Sequence, residues 1–230
     1  MLLPPVCTLC GDVGEPNTKY ARDLCRPCRL SLPWNETACA RCAIPLSRFV
    51  VNGGFIEALC GQCQIQPPSY EQCLSPFLYY RPVDKLLQGL KFNGRLAQAR
   101  LMGELMGQWL ASVVEVMPDQ LIPVPLHPTR IRERGFNQAT ELARPIAKRL
   151  NIPLNLSVVQ RRVATPPQSD LTRQERLKNI RNVFNVVKPV DGHVVIIDDV
   201  MTTGSTVEEL AKTLLRAGAE QVDVWVCARA

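Results

Sequence analysis

Four Cys-x-x-Cys pairs stand before residue 64, and no other feature restricts the fold of this chain as much. They are Cys7 with Cys10, Cys25 with Cys28, Cys39 with Cys42 and Cys60 with Cys63, with 14 residues between the first two pairs and 17 between the last two. A two-residue spacer lets one tight turn present two sulfurs to one ion. A tetrahedral Zn²⁺ takes four thiolates, so two such knuckles complete a site and four predict two zinc sites, each with four cysteine ligands. Pairing consecutive knuckles gives two successive ribbons with short loops, and is favoured over a crossed pairing that would interleave them. Each site is closed by four sulfurs and keeps no open position for water or substrate, which predicts a structural or adhesive role. Cys73 and Cys227 fit no such spacing and read as small apolar residues.

The competing use of cysteine, disulfide bonding, needs an oxidising compartment. Met1 to Val6 has neither the basic start nor the long apolar stretch of a secretory signal. No run approaches the roughly 18 apolar residues of a membrane span; the best candidate, Leu110 to Met117, is short and carries Glu115. The expectation is a cytoplasmic protein with no membrane insertion. At 230 residues, with 46% hydrophobic and 21% charged residues, the chain has a globular composition and room for a sizeable core.

Charge is unevenly spread. Residues 121–190 hold thirteen basic and four acidic side chains, so the overall +6 conceals a middle third at +9. Such an excess predicts a phosphate-rich partner, either a small polyphosphate or a nucleic acid. Aromatic residues make up 6% and do not interleave with the basic ones in that third, so stacking on bases has little support there.

Ile65 to Pro82 is rich in Pro, Gln and Ser and reads as a link, placing a cysteine-rich module at 1–74 and a second domain at 75–230. Apolar residues recur at helical spacing from Val83 to Val116, broken near Asn93-Gly94, which predicts two helices. Leu121 to Leu126 is a short strand limited by Pro123 and Pro125. Asn137 can cap a helix with Ala139, Ala143, Ile146 and Leu150 on its apolar face. Asn155 to Gln160 reads as a further strand. The four β-branched residues Val194 to Ile197 mark a strand covered on both faces, hence a parallel central sheet. A helix over Gly204 to Ala217 and a strand over Gln221 to Val226 complete a strand-helix-strand unit.

The turn after that buried strand carries the chemistry. Asp198 and Asp199 sit at its carboxyl end, where ligands of open α/β sheets bind. Thr202, Thr203, Gly204, Ser205 and Thr206 follow at once and open a helix. Their backbone amides and hydroxyls can wrap a phosphate, with Gly204 allowing close approach. The two carboxylates can accept hydrogen bonds from sugar hydroxyls or hold a hydrated Mg²⁺. The layout suits a ribose phosphate.

These residues resemble the signature by which type I phosphoribosyltransferases bind phosphoribosyl pyrophosphate: a hydrophobic strand, two acidic residues, then Thr-Gly and small hydroxyl residues. More narrowly, the chain resembles the ComF family of competence-related proteins, in which GntX is also placed. The likeness is carried by the Cys-x-x-Cys module and by Leu-Lys-Phe-Asn-Gly-Arg at 90–95, Pro-Val-Pro-Leu-His-Pro at 123–128, Arg-Gly-Phe-Asn-Gln at 134–138 and Arg-Leu-Lys-Asn at 176–179. It covers nearly the whole chain. The resemblance implies an α/β fold with a phosphoribosyltransferase-like parallel sheet flanked by helices, preceded by the zinc-ribbon module. It also implies a pyrophosphate loop over Pro123 to Arg134 and a mobile hood over Arg161 to Arg181. Arg130 and Arg134, with Arg132 between them, become candidates for the pyrophosphate clamp, and His127 for a phosphate contact, whereas His193 reads as a packing residue.

Two functions follow and remain open at this point. One is a phosphoribosyltransferase-like protein that binds phosphoribosyl pyrophosphate with Mg²⁺, tied to DNA uptake or the use of DNA-derived nutrients, with an unnamed acceptor if transfer occurs. The other is a non-catalytic competence factor that uses zinc ribbons and a basic surface to bind single-stranded DNA or DNA-uptake proteins.

Overall fold

The computed structural model describes residues 4–15, 21–47, 58–163 and 183–230, and all structural statements concern these. Val194, Val195, Ile196 and Ile197 are fully buried, and they form the centre of strand β6, His193–Met201. An apolar run of β-branched residues is stable only when both sides of the strand are covered. Four further strands build the sheet around it: β1 (Cys73–Leu74), β2 (Phe77–Leu78), β3 (Gln120–Pro123) and β7 (Gln221–Arg229). The order is β1-β7-β6-β3, with β2 also on β7, and every pairing is parallel.

Two short strands therefore come from Ile65 to Pro82, the stretch expected to be only a link. Phe77 is fully buried there, and Pro76 separates β1 from β2, each pairing with its own part of β7. A second departure concerns Asn155 to Gln160. Only Val159–Arg161 (β4) forms a strand, and it pairs antiparallel with β5 (Phe184–Val186) in a separate two-stranded ribbon. The Asn155 side chain accepts from the Ser157 amide at 3.2 Å, a local turn that takes the chain away from β3.

Alternate residues of each strand face opposite sides. Leu121, Val195, Ile197, Trp225 and Cys227 pack against helices α3 (Val83–Asn93), α4 (Leu96–Val113) and α6 (Gln138–Leu150). Ile122, Val194, Ile196, Val222, Val224 and Val226 pack against β4, β5 and the helix α7 (Ser205–Arg216). Helices α4 and α6 come very close, since a Cβ at Gly103 would lie 2.4 Å from Pro145 Cγ and 2.6 Å from the Leu142 oxygen. A seven-residue helix, α5 (Pro128–Arg134), follows β3.

The cysteine-rich part docks on both faces. Cys7, Ala21, Leu24, Cys25 and Leu32 join the core on the α3/α4 side, while Ala43, Tyr70 and Cys73 join the core on the α7 side. Its two five-residue helices, α1 (Arg26–Leu30) and α2 (Gly61–Ile65), begin directly after Cys25 and Cys60. Among the described residues no helix is long and apolar enough to cross a membrane.

Candidate functional site

The eight cysteines of the knuckles gather into two sets. The sulfurs of Cys7, Cys10, Cys25 and Cys28 lie within 4.8 Å of one another, and so do those of Cys39, Cys42, Cys60 and Cys63. Consecutive knuckles therefore pair. Burial works against ionising the Cys7 and Cys39 thiols, but backbone amides donating to the sulfurs outweigh it, bringing Cys7 down to about 6 and Cys39 to about 7. The Cys60 amide, for example, donates to Cys39 Sγ at 3.3 Å. Within each set Cys10, Cys28, Cys42 and Cys63 are pushed up instead, Cys42 and Cys63 by burial and then by the other sulfurs, Cys28 by the other sulfurs, and Cys10, against the opposing Asp12 amide, by the other sulfurs too. Four converging cysteine sulfurs are nonetheless the donor set that Zn²⁺ prefers, and both sites fit it.

The second kind of site lies at the carboxyl ends of β3 and β6, which border a cavity of about 550 Å³. Asp198 and Asp199 are the sixth and seventh residues of β6 and both line it. Thr202, Thr203, Gly204, Ser205 and Thr206 line it as well. Gly204 has φ +77° and is the N-cap of α7, and a Cβ added there would meet nothing nearer than Met201 Sδ at 3.6 Å. The glycine is thus required by backbone conformation and not by crowding. Thr203 Oγ1 and Ser205 Oγ are 2.8 Å apart, and the Glu208 amide donates to the Gly204 oxygen at 2.9 Å, so the turn enters the helix directly.

Cations share the cavity with the carboxylates. Arg130 and Arg134 from α5 and Arg161 from β4 all line the cavity, joined by Lys91 from α3. Burial lowers the Arg134 and Arg161 guanidinium groups, and Asp199 and Asp198 respectively oppose that shift. Burial, then the neighbouring Asp199 carboxylate, pushes the Asp198 carboxyl well above the usual carboxylate range, with Lys91 acting the other way. The Asp199 amide donates to Asp198 Oδ1 at 2.9 Å. Two adjacent carboxylates, one of them short of compensating positive charge, fit a hydrated Mg²⁺ and the hydroxyls of a sugar.

Other expected residues sort by position. Arg132 is exposed and does not line the cavity, although its neighbours do. His127 lines it, but its Nδ1 also accepts from the Thr129 amide at 3.3 Å as the cap of α5. His193 is at the far end of β6, 2.9 Å from Asp223, and serves the fold. The hood expected over Arg161 to Arg181 falls, from residue 164 on, outside the described residues. Tyr79, Lys91 and Phe92 also line the cavity, and the sequence reading does not single them out for it. The motif at 90–95 is a signal for Lys91 and Phe92, whereas nothing in the sequence points to Tyr79.

A second cavity, about 510 Å³, opens between the first ribbon and α4, where Trp34 and Trp109 meet Arg29 and Arg149. Trp34 is held by its indole N–H, 3.4 Å from the Arg29 oxygen, and Arg29 is also paired with Glu15. Arg29 and Trp34 lie five residues apart, but Trp109 and Arg149 come from α4 and α6, so no single stretch of the chain announces the four together.

Comparison with known proteins bears on both sites. Residues 1–64 match the family described as double zinc ribbon domain, and residues 137–230 match the phosphoribosyl transferase domain. The chain is 33% identical over 237 aligned residues to DNA utilization protein YhgH of Shigella flexneri, covering 100% of this chain and 99% of that protein. It is 32% identical to competence protein F of Haemophilus influenzae, over 74% of this chain and 78% of that one. Against competence protein ComFC of Bacillus subtilis the identity is 26%, over 93% and 90%. The fold is accordingly a phosphoribosyltransferase-like parallel sheet with flanking helices, joined to a zinc-ribbon module.

Proposed function

The chain belongs to the ComF family, and on that premise we propose that the cavity at the carboxyl end of β6 binds phosphoribosyl pyrophosphate together with Mg²⁺, in the service of DNA uptake or the use of DNA-derived nutrients. The observation that carries this reading is the convergence in one cavity of two adjacent aspartates, the small-residue turn at 202–206, and the cations Lys91, Arg130, Arg134 and Arg161. The turn and the first turn of α7 offer amides and hydroxyls to the 5′-phosphate. Asp198 and Asp199 take the ribose hydroxyls and the hydrated cation. Arg130 and Arg134 face the pyrophosphate.

Bound Mg²⁺ would offset charge on the pyrophosphate leaving group. Where an acceptor is present, the bond from the anomeric carbon to pyrophosphate breaks as a bond to the acceptor forms. The arginines then stabilise the departing anion, and the aspartates stabilise positive charge developing on the ring. Calorimetry with phosphoribosyl pyrophosphate and Mg²⁺ tests the binding: wild type should bind, and the double variant Asp198→Asn, Asp199→Asn should lose at least tenfold in affinity. Absent binding in wild type, or equal binding in both, removes the reading. Pyrophosphate release in the presence of nucleobase acceptors then tests transfer.

A second reading, single-stranded DNA binding, is supported by the Trp34, Trp109, Arg29 and Arg149 cavity. Stacking on an aromatic ring contributes about 1–3 kcal/mol per base and tolerates any sequence. Oligothymidylate should quench tryptophan fluorescence, with affinity that falls steeply with salt and drops further in Trp109→Ala. A flat salt response counts against it.

A further inference from the structure

The residue behind the phosphate turn is Arg229, the last of β7. It is buried, at 7% exposure, and its guanidinium spans two parts of the molecule. Nε donates to the Cys42 oxygen of the second ribbon at 3.0 Å. Nη1 donates to the Met201 oxygen at 2.8 Å and also to the Thr202 and Ala230 oxygens. The Ala230 amide adds a second donor to the Met201 oxygen at 3.1 Å.

A trans peptide unit points its C=O and the following N–H in opposite directions. Holding the Met201 and Thr202 oxygens on the Arg229 side therefore turns the amides of Thr202 and Thr203 the other way. Both residues line the cavity, and Arg229 does not. The rigid planar fork of arginine suits this bridging, because its donors leave in fixed directions from one plane. Lysine gathers its donors at one nitrogen and holds the two sides together less well.

The chain leading out of the second ribbon reinforces the same turn. The Ser69 amide and hydroxyl donate to the Glu208 carboxylate, in the first turn of α7, at 2.9 and 2.8 Å. Buried Tyr70, whose backbone oxygen accepts from Arg41 at 3.2 Å, places its hydroxyl beside Gly204.

We infer that Arg229 is a positioning residue that clamps the phosphate turn to the Cys42 knuckle, so that the second ribbon sets the direction of the Thr202 and Thr203 amides. The ribbon is then part of the scaffold of the anion site as well as a metal site in its own right. The inference rests on the proposed binding of phosphoribosyl pyrophosphate for its functional meaning, but not for its structural test.

Amide resonances of Thr202 and Thr203 in ligand-free, zinc-loaded protein provide that test, with zinc content and thermal midpoint recorded alongside. In Arg229→Gln both resonances should move while those of β3 stay in place, and affinity for phosphoribosyl pyrophosphate with Mg²⁺ should fall at least tenfold with two zinc ions retained. Arg229→Lys, which keeps the charge and the buried stem, should show the same loss to a smaller extent and supplies the comparison if Arg229→Gln does not fold. Unmoved Thr202 and Thr203 resonances, or unchanged affinity in a wild type that binds, overturn the inference. If wild type does not bind at all, the proposed function fails and the resonances alone decide the role of Arg229.

Discussion

The two ribbons share one chemistry and have different neighbours. Each has two knuckles, four sulfurs within 4.8 Å and a short helix starting after its third cysteine. The first lies on the helical face of the sheet. Leu24 and Cys25 are buried in the core shared with α3 and α4, the Ala21 amide donates to Glu104 at 2.6 Å, and Asp23 pairs with Arg100. The second lies on the opposite face, where Ala43 joins the core of α7 and the Cys42 oxygen is held by Arg229. A metal site thus contributes stability wherever it sits, but what else it does depends on the surface it is pressed against. The first ribbon packs on a helical platform, and the second is joined through Arg229 to the strand end and turn that line the proposed anion cavity.

The sharpest way to break this contrast is to remove one zinc ion at a time. Structural zinc supplies on the order of 10 kcal/mol of folding free energy to an isolated zinc-finger domain, and part of that is recovered here from the ordered neighbours. Cys25→Ser should reduce zinc from two per chain to one and lower the thermal midpoint most, because Leu24 and Cys25 leave the larger core with it. Cys63→Ser should remove the other ion with a smaller fall in midpoint, but should weaken anion binding several-fold. Metal analysis, calorimetric melting and ligand titration check the pair, and equal ligand affinity in the two variants would erase the asymmetry.

Next in size are two glycines, one on each side. Gly103→Ala forces a Cβ against Pro145 and the Leu142 oxygen, so the α4 platform under the first ribbon must shift, costing about 1–3 kcal/mol. Denaturant unfolding should show it, with anion affinity kept at temperatures where the fold persists. Gly204→Ala meets no close atom but holds a left-handed residue at φ +77°, a strain of about 1–2 kcal/mol. That should appear as a roughly 5–30-fold smaller folded-to-unfolded ratio, with anion binding weakened to the extent that the free turn relaxes out of the left-handed conformation.

The smallest effect concerns stability without ligand. Because the folded-state pKa of Asp198 is raised, the native protein takes up a proton there more readily than the unfolded chain. Its ionisation thus costs stability as pH rises from the unfolded value near 4 through the folded one. Asp198→Asn should therefore raise the thermal midpoint at neutral pH, with the gain fading toward pH 4, while ligand binding is lost. A midpoint that falls at every pH would mean that the carboxylate is stabilised in place by partners of its own.

Much of this was legible where the information is local. The knuckles announce their sulfurs within four residues each, and the run from Val194 through Thr206 presents strand, carboxylates and turn in one continuous segment. Arg130 and Arg134 were legible as members of the basic third, and both reach the cavity, whereas Arg132 between them faces solvent on the same short helix. Other parts were hidden. β1 and β2 are two residues each, too short for any periodicity, and become strands only because β7 offers unpaired backbone beside them. The motif at 90–95 and the hood stretch beginning at Arg161 mark Lys91 and Arg161, but that the two share one cavity was hidden, because no local pattern gives the places of α3 and β4 around the sheet. That Trp34 and Trp109 line one cavity is likewise a product of docking.

Residue order was enough to say which sulfurs would cluster and which turn would follow the two aspartates, because a two-residue spacer and a strand-turn-helix transition are short-range geometry. It took the folded chain to place the ribbons on opposite faces and to bring Arg229 to Cys42 across 187 positions. Such contacts depend on which surfaces are left to bury once the sheet has formed, a balance of packing and solvent exclusion over the whole molecule that no local pattern encodes.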